Sequence, residues 1–248
     1  MYQLGLVSIS FRALSPRQIC EYVKAAKLSC IEWGSDVHAP CDDPARLKEI
    51  VSLQQEFGIS CCSYGTYFHL GSTPTETLPA YIAAAKVLGT RVLRLWCGDH
   101  ATATYSEEER AALLAACREA AAIAEAEDVV LCLECHNHTF TEDPEDTLWL
   151  MEQVNSPHFR MYWQPNQFRP LEENLRYAQL LAPYTYTLHV FNWWEQERYP
   201  LREAAELWKQ YLSFFPKDRT LLLEFMPDDR PESLSGEAAA LFAIAGGV

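Results

Sequence analysis

Short apolar runs alternate with longer amphipathic stretches along the whole chain, which is the pattern of parallel strands joined by crossover helices. Eight apolar runs recur at spacings of about 27 to 38 residues, and no linker or low-complexity tract separates them. The pattern predicts one α/β domain over residues 1–248, a (β/α)8 TIM barrel. The predicted strands are 3–9, 30–33, 59–64, 91–96, 129–134, 159–163, 186–191 and 220–225.

Helix start signals fall between these runs, because a capping side chain or a proline favours the first turn of a helix. They are Ser15-Pro16, Asp43-Pro44, Thr73-Pro74, Ser106, Asp143-Pro144 and Arg230-Pro231. An open doubly wound sheet is the rival architecture, but it usually has fewer strands and a glycine-rich first turn. No strand exit in this chain reads GxGxxG.

Composition limits the partners more than it limits the fold. A net charge of −14 disfavours nucleic acid and anionic membranes, which both need a basic surface. The opening MYQLGLVSIS is unlike an export signal, so we expect a cytoplasmic protein whose nine cysteines are free thiols. Cys132 and Cys135 form a CxxC on a predicted strand, where they point to opposite faces, so we expect no zinc clamp there.

Candidate chemistry lies where the predicted strands end, since active sites of such barrels lie at that end. Glu134 and Glu224 each follow an apolar run, and a buried carboxylate needs a metal, a cation or a raised pKa. A shared cation is one interpretation, and pairing with an arginine such as Arg94 is the alternative. His189, in YTLHVF, adds an imidazole that suits ligation of Mn, Co, Zn or Fe.

These residues give the chain a resemblance to the sugar phosphate isomerases and epimerases of the xylose isomerase-like TIM barrel superfamily. The likeness lies in the segment from Glu134 to Thr139, the helix opening from Thr141 to Glu145, the pair His189-Val190, and Glu224. It extends over essentially the whole chain and agrees with the predicted barrel.

The resemblance implies one divalent metal ion, Mn, Co, Zn or Mg, held by Glu134, Gln164, His189 and Glu224. It also implies that Glu134 and Glu224 act as an acid/base pair, moving a proton next to a carbonyl through an enediolate. The sixth strand departs from the family pattern Asp-x-x-His, because Gln164 and Gln167 occupy those two positions. The ligand set then carries two formal negative charges instead of three.

The expected substrate is a small sugar or sugar phosphate, and family analogy favours a homo-oligomer. The candidate substrate contacts are Glu32, His38, His69, His136, Gln167, Trp194 and Arg198. Two alternatives stay open: a dehydratase acting on a keto-sugar or keto-polyol, and a non-catalytic barrel that binds sugar or metal. A DNA repair endonuclease on the same fold is disfavoured by the acidic charge.

Overall fold

A computed structural model of the chain describes residues 1–246, in which eight parallel strands close into a barrel. Each barrel strand pairs with its neighbours in parallel, and the last strand closes the ring against the first. A short antiparallel hairpin, formed by β8 and β9, follows the seventh barrel strand. The strands are β1 (Gln3–Val7), β2 (Cys30–Gly34), β3 (Ser60–Leu70), β4 (Val92–Cys97), β5 (Val130–Glu134), β6 (Phe159–Trp163), β7 (Thr185–Val190), β8 (Trp193–Trp194), β9 (Glu197–Arg198) and β10 (Thr220–Leu223).

The helices surround the barrel and begin close to the predicted start signals. Ser15 and Ser106 each accept a hydrogen bond from a backbone N–H of the first helical turn and complete a capping box. The signals at Pro74 and Pro231 instead precede short 3-10 turns that lead into the helices. The helices are α1 (Pro16–Ala25), α2 (Pro44–Phe57), α3 (Leu78–Leu88), α4 (Glu107–Ala126), α5 (Pro144–Val154), α6 (Leu171–Leu181), α7 (Ala205–Leu212) and α8 (Leu234–Gly246).

Two apolar clusters hold the fold together, and the larger one lies between the strands and the helices. The smaller cluster comprises Val7, Ile9, Cys30, Val92, Cys132, Tyr162 and Leu222. All nine cysteines are free thiols, as expected, and Cys132 is fully buried while Cys135 is half-buried. The predicted barrel is therefore confirmed. Cys132 and Cys135 pack against different apolar clusters.

The third strand differs most from its prediction, since β3 extends to Leu70 rather than ending near Tyr64. Its register with β4 shifts between Gly65 and His69, where the run becomes irregular. No helix among residues 1–246 has the length and apolar character that a membrane span requires.

Candidate metal centre and mouth pocket

Four predicted ligands come from four strand ends of the closed barrel. Glu134 is the last residue of β5, His189 is the penultimate residue of β7, and Gln164 directly follows β6. Glu224 directly follows β10. Since parallel strands of a barrel end on the same side, their side chains meet at one mouth.

The imidazole of His189 is at the centre of this group. Its Nδ1 lies 3.0 Å from Oε1 of Gln164, 3.4 Å from Oε1 of Glu134 and 3.5 Å from Oε2 of Glu224. One ligand atom from each of Glu134, His189 and Glu224 falls within 4.8 Å of the others. Three oxygens around one imidazole nitrogen are a donor set that fits a divalent first-row ion or Mg²⁺.

Burial and charge separate the pKa values of these side chains. Burial lowers the pKa of His189, but the neighbouring Glu224 and Glu134 carboxylates more than offset this and raise it to about 10. Burial raises the pKa of Glu224, and His189 only partly opposes that change. Glu134 is buried as well, yet the Arg94 guanidinium holds its pKa well below the usual range. The two carboxylates of the site therefore differ in basicity.

A buried arginine links this centre to the barrel interior. Arg94 of β4 is 2% exposed, its Nε donates to Oε1 of Glu32 at 3.0 Å, and its Nη1 donates to Oε2 of Glu134. Trp96 donates to the same Glu134 oxygen, whereas the Oε1 atom of Glu134 faces His189. The two interpretations of Glu134 are thus compatible, because one oxygen pairs with Arg94 and the other faces the candidate metal position.

The structure places Glu32 beneath this centre and away from the mouth pocket. Glu32 is fully buried, and its two oxygens accept from Arg94 and from the Tyr162 hydroxyl. Its Oε1 lies 3.9 Å from Nε2 of His189, on the ring side opposite the ligands. Its expected contact with substrate stays a prediction, and this burial argues against it. A side chain at Gly65 would not fit, since a Cβ there would lie 2.5 Å from Oε1 of Glu32.

A pocket opens above the four ligands. It includes two of the expected substrate contacts, His136 and Gln167. The ring of His136 stacks on Trp96 with centroids 4.6 Å apart, and His69 meets Trp96 edge-on at 4.7 Å. The lining residues are Glu134, Cys135, His136, Asn137, Gln164, Pro165, Asn166, Gln167, Phe191, Trp193, Glu224 and Phe225.

The other expected substrate contacts lie outside the lining of this pocket. His38 is 2% exposed and its Nδ1 is 3.0 Å from the Ser8 hydroxyl. Trp194 is 55% exposed and lines a neighbouring pocket. Arg198 pairs with Asp229. These three side chains therefore reach a ligand in the mouth pocket only if their surroundings move.

The pocket lining includes residues that sequence reasoning missed, among them Asn137, Asn166 and Phe225. Phe225 follows Glu224 with φ of +54°, a left-handed conformation that a bulky residue adopts at a cost. Its backbone N–H donates to the Ser10 hydroxyl at 2.8 Å, which helps to hold this turn. Nothing in the sequence marks that conformation.

Comparison with known proteins agrees with the barrel fold. The family model described as xylose isomerase-like TIM barrel matches residues 20–190. No curated protein matches the chain.

Solved structures resemble the whole chain at low sequence identity. The probable 3-DHS dehydratase AsbF of Bacillus anthracis is 17% identical with a TM-score of 0.81, covering 98% of this chain and 99% of that one. A xylose isomerase-like protein of Mycobacterium smegmatis in complex with magnesium is 13% identical with a TM-score of 0.72, covering 99% and 96%. D-allulose 3-epimerase of Methylomonas sp. in complex with D-allulose is 15% identical with a TM-score of 0.71, covering 98% and 96%.

Proposed function

Since the chain belongs to the xylose isomerase-like TIM barrel family, we propose that it is a divalent metal-dependent isomerase or epimerase of a small sugar or sugar phosphate. The observation that carries this proposal is the convergence of Glu134, Gln164, His189 and Glu224 below one polar pocket. These four side chains would hold the ion. A bound divalent ion supplies positive charge beside the oxygens of an enediolate.

Glu134 and Glu224 are the proposed acid/base pair. Arg94 keeps Glu134 ionised, so this carboxylate suits removal of the proton next to the substrate carbonyl. Glu224 has the raised pKa and holds a proton more readily, so it suits the return of a proton. Return to the opposite face of the same carbon gives an epimer, whereas transfer to the adjacent carbon gives an isomer.

Solvent exchange tests this proposal whichever product is formed. Protein loaded separately with Mn, Co, Zn or Mg is incubated in D₂O with free and phosphorylated ketoses and aldoses, and deuterium next to the carbonyl is followed by NMR. Glu134→Gln and Glu224→Gln should each slow exchange by roughly 100-fold or more. The control Glu206→Gln alters an 83% exposed carboxylate on α7 and should exchange like the parent.

The products decide between this function and the alternatives. A product that has lost one hydroxyl would replace the isomerase proposal by a dehydratase, which uses the same base. If no compound exchanges in any metal form while calorimetry detects sugar or metal binding, the proposal is refuted and a binding role replaces it.

A further inference from the structure

The mouth pocket has a distinctive charge pattern. Among residues 1–246, no lysine or arginine lines it, and its acidic lining groups are the carboxylates Glu134 and Glu224. The polar lining also includes amides, namely Asn137, Gln164, Asn166 and Gln167. An amide both donates and accepts hydrogen bonds, as a hydroxyl does, whereas a phosphate or carboxylate needs donors only.

The loop after β10 also lacks a cradle for an anion. In barrels of this type a phosphate frequently binds to the loops after the last two strands. Here that loop carries Asp228, which accepts from the backbone N–H of Arg230 at 3.1 Å and from the Ser233 hydroxyl at 2.7 Å. The chain's own carboxylate therefore takes donors that a phosphate would otherwise use.

Arg230 lies in this loop but is exposed and does not line the pocket. Arg198, on the neighbouring hairpin, is paired with other groups. Arg198 pairs with Asp229, and its guanidinium carbon lies 4.8 Å from the ring centroids of both Trp193 and Phe225. In the segment after β1, which neighbours β10 in the barrel, Arg12 pairs with Asp36. An anionic substrate would have to displace a carboxylate to reach either guanidinium.

We propose that the site takes an uncharged polyhydroxy carbonyl compound, a free ketose or aldose, and rejects phosphorylated and carboxylated sugars. This inference rests on the proposed function for the pocket, and it assigns its substrate class. The amides match the hydroxyls of such a compound, and the rings of Phe191 and Trp193 offer apolar surface to its C–H groups.

Matched pairs of ligands test the proposal by calorimetry. Metal-loaded protein is titrated with free ketopentoses and ketohexoses, with the terminal phosphate of each, and with the aldonate of matching length. Every neutral compound that binds should bind at least tenfold more tightly than its charged counterpart. A phosphate or an aldonate that binds more tightly than its neutral counterpart would overturn the proposal.

A charge variant adds a second measurement that does not depend on finding the natural substrate. Asp229→Asn releases Arg198 at the mouth, so the affinity for the sugar phosphate should rise at least threefold relative to the free sugar. Asp218→Asn breaks a comparable pair with Arg219 at the opposite end of the barrel and should leave that ratio unchanged. Equal ratios in the two variants would overturn the role of Asp229 in withholding Arg198.

The two proposals fail in different ways. If free sugars bind without proton exchange, the isomerase proposal fails while the neutral substrate class stands. If only phosphorylated sugars bind and exchange deuterium, the substrate class is wrong and the isomerase proposal stands.

Discussion

Restoring a carboxylate at Gln164 is the sharpest test of the metal centre. In the structure the Oε1 of Gln164 lies 3.0 Å from Nδ1 of His189, and its Nε2 donates to the carbonyl of Cys135 at 2.9 Å. Gln164→Glu keeps the length of the side chain and places a negative charge in the ligand shell. It also removes the donor to Cys135.

The size of the effect follows from opposing terms. Two unit charges about 4 Å apart interact by about 4 kcal/mol at an effective dielectric of about 20. Part of this attraction is lost because the nearby carboxylates Glu134 and Glu224 favour a proton on the new carboxyl group, which the ion must displace. The lost hydrogen bond to Cys135 weakens the metal-free and the loaded protein alike, so it does not change the metal affinity. A net gain of roughly 1 to 3 kcal/mol remains, equivalent to about 5- to 150-fold tighter metal binding.

Calorimetry with Mn²⁺ and Zn²⁺ measures this gain, and thermal unfolding supplies an independent reading. The metal-free variant should be less stable than the parent, because it holds a third carboxylate without a counter-ion, while the loaded variant should be more stable. Gln164→Asp repeats the test with a shorter side chain, and Gln167→Glu places the same charge in the pocket away from His189. Unchanged or weaker metal affinity in both Gln164 variants would refute Gln164 as a metal ligand. An equal gain in metal affinity from Gln167→Glu would show that any added negative charge in the pocket has this effect, without direct contact with the ion.

Three further outcomes follow from the buried charges and the caps. Since His189 has a pKa of about 10, a metal ion must displace its proton, so metal affinity should rise with pH, up to roughly tenfold per pH unit below pH 10. Calorimetry of metal binding in buffers of different ionisation enthalpy should detect about one released proton. No proton release would contradict the assignment of His189 as a ligand. Arg94→Met leaves two buried carboxylates without their cation, so it should lower the free energy of unfolding, measured by urea denaturation, by roughly 3 to 5 kcal/mol. The control Arg17→Met, at an exposed ion pair, should lower it by less than about 1 kcal/mol. Ser106→Ala should cost about 1 kcal/mol by the same measurement, because it removes a capping box, and no change would show that α4 does not need it.

The features that the sequence predicts correctly are those with a local cause. Apolar runs and capping residues act within a few positions, so the eight barrel strands and most helix starts follow from the pattern. Closure of the barrel then brings Glu134, His189 and Glu224 together with no further information than their positions at strand ends.

The features that remained hidden depend on register between distant segments. Glu32 and Arg94 are 62 positions apart, and they meet because Gly65 leaves space between β2 and β4. A shift of one residue in any of these strands would turn the side chains to the other face. The sequence alone therefore could not predict that Glu32 is fully buried or that Arg94 pairs with both Glu32 and Glu134.

The buried ion pairs of Arg94 set how freely this mouth can diverge. Glu32, Arg94, Glu134 and Tyr162 come from four different strands, so a substitution in any one of them leaves a charge or hydroxyl in another without its partner. The loops that follow the strands contain none of these four partners, so their residues can change without breaking these ion pairs. New specificities should therefore arise through exchange of loop segments, while the four strand positions change together or remain as they are.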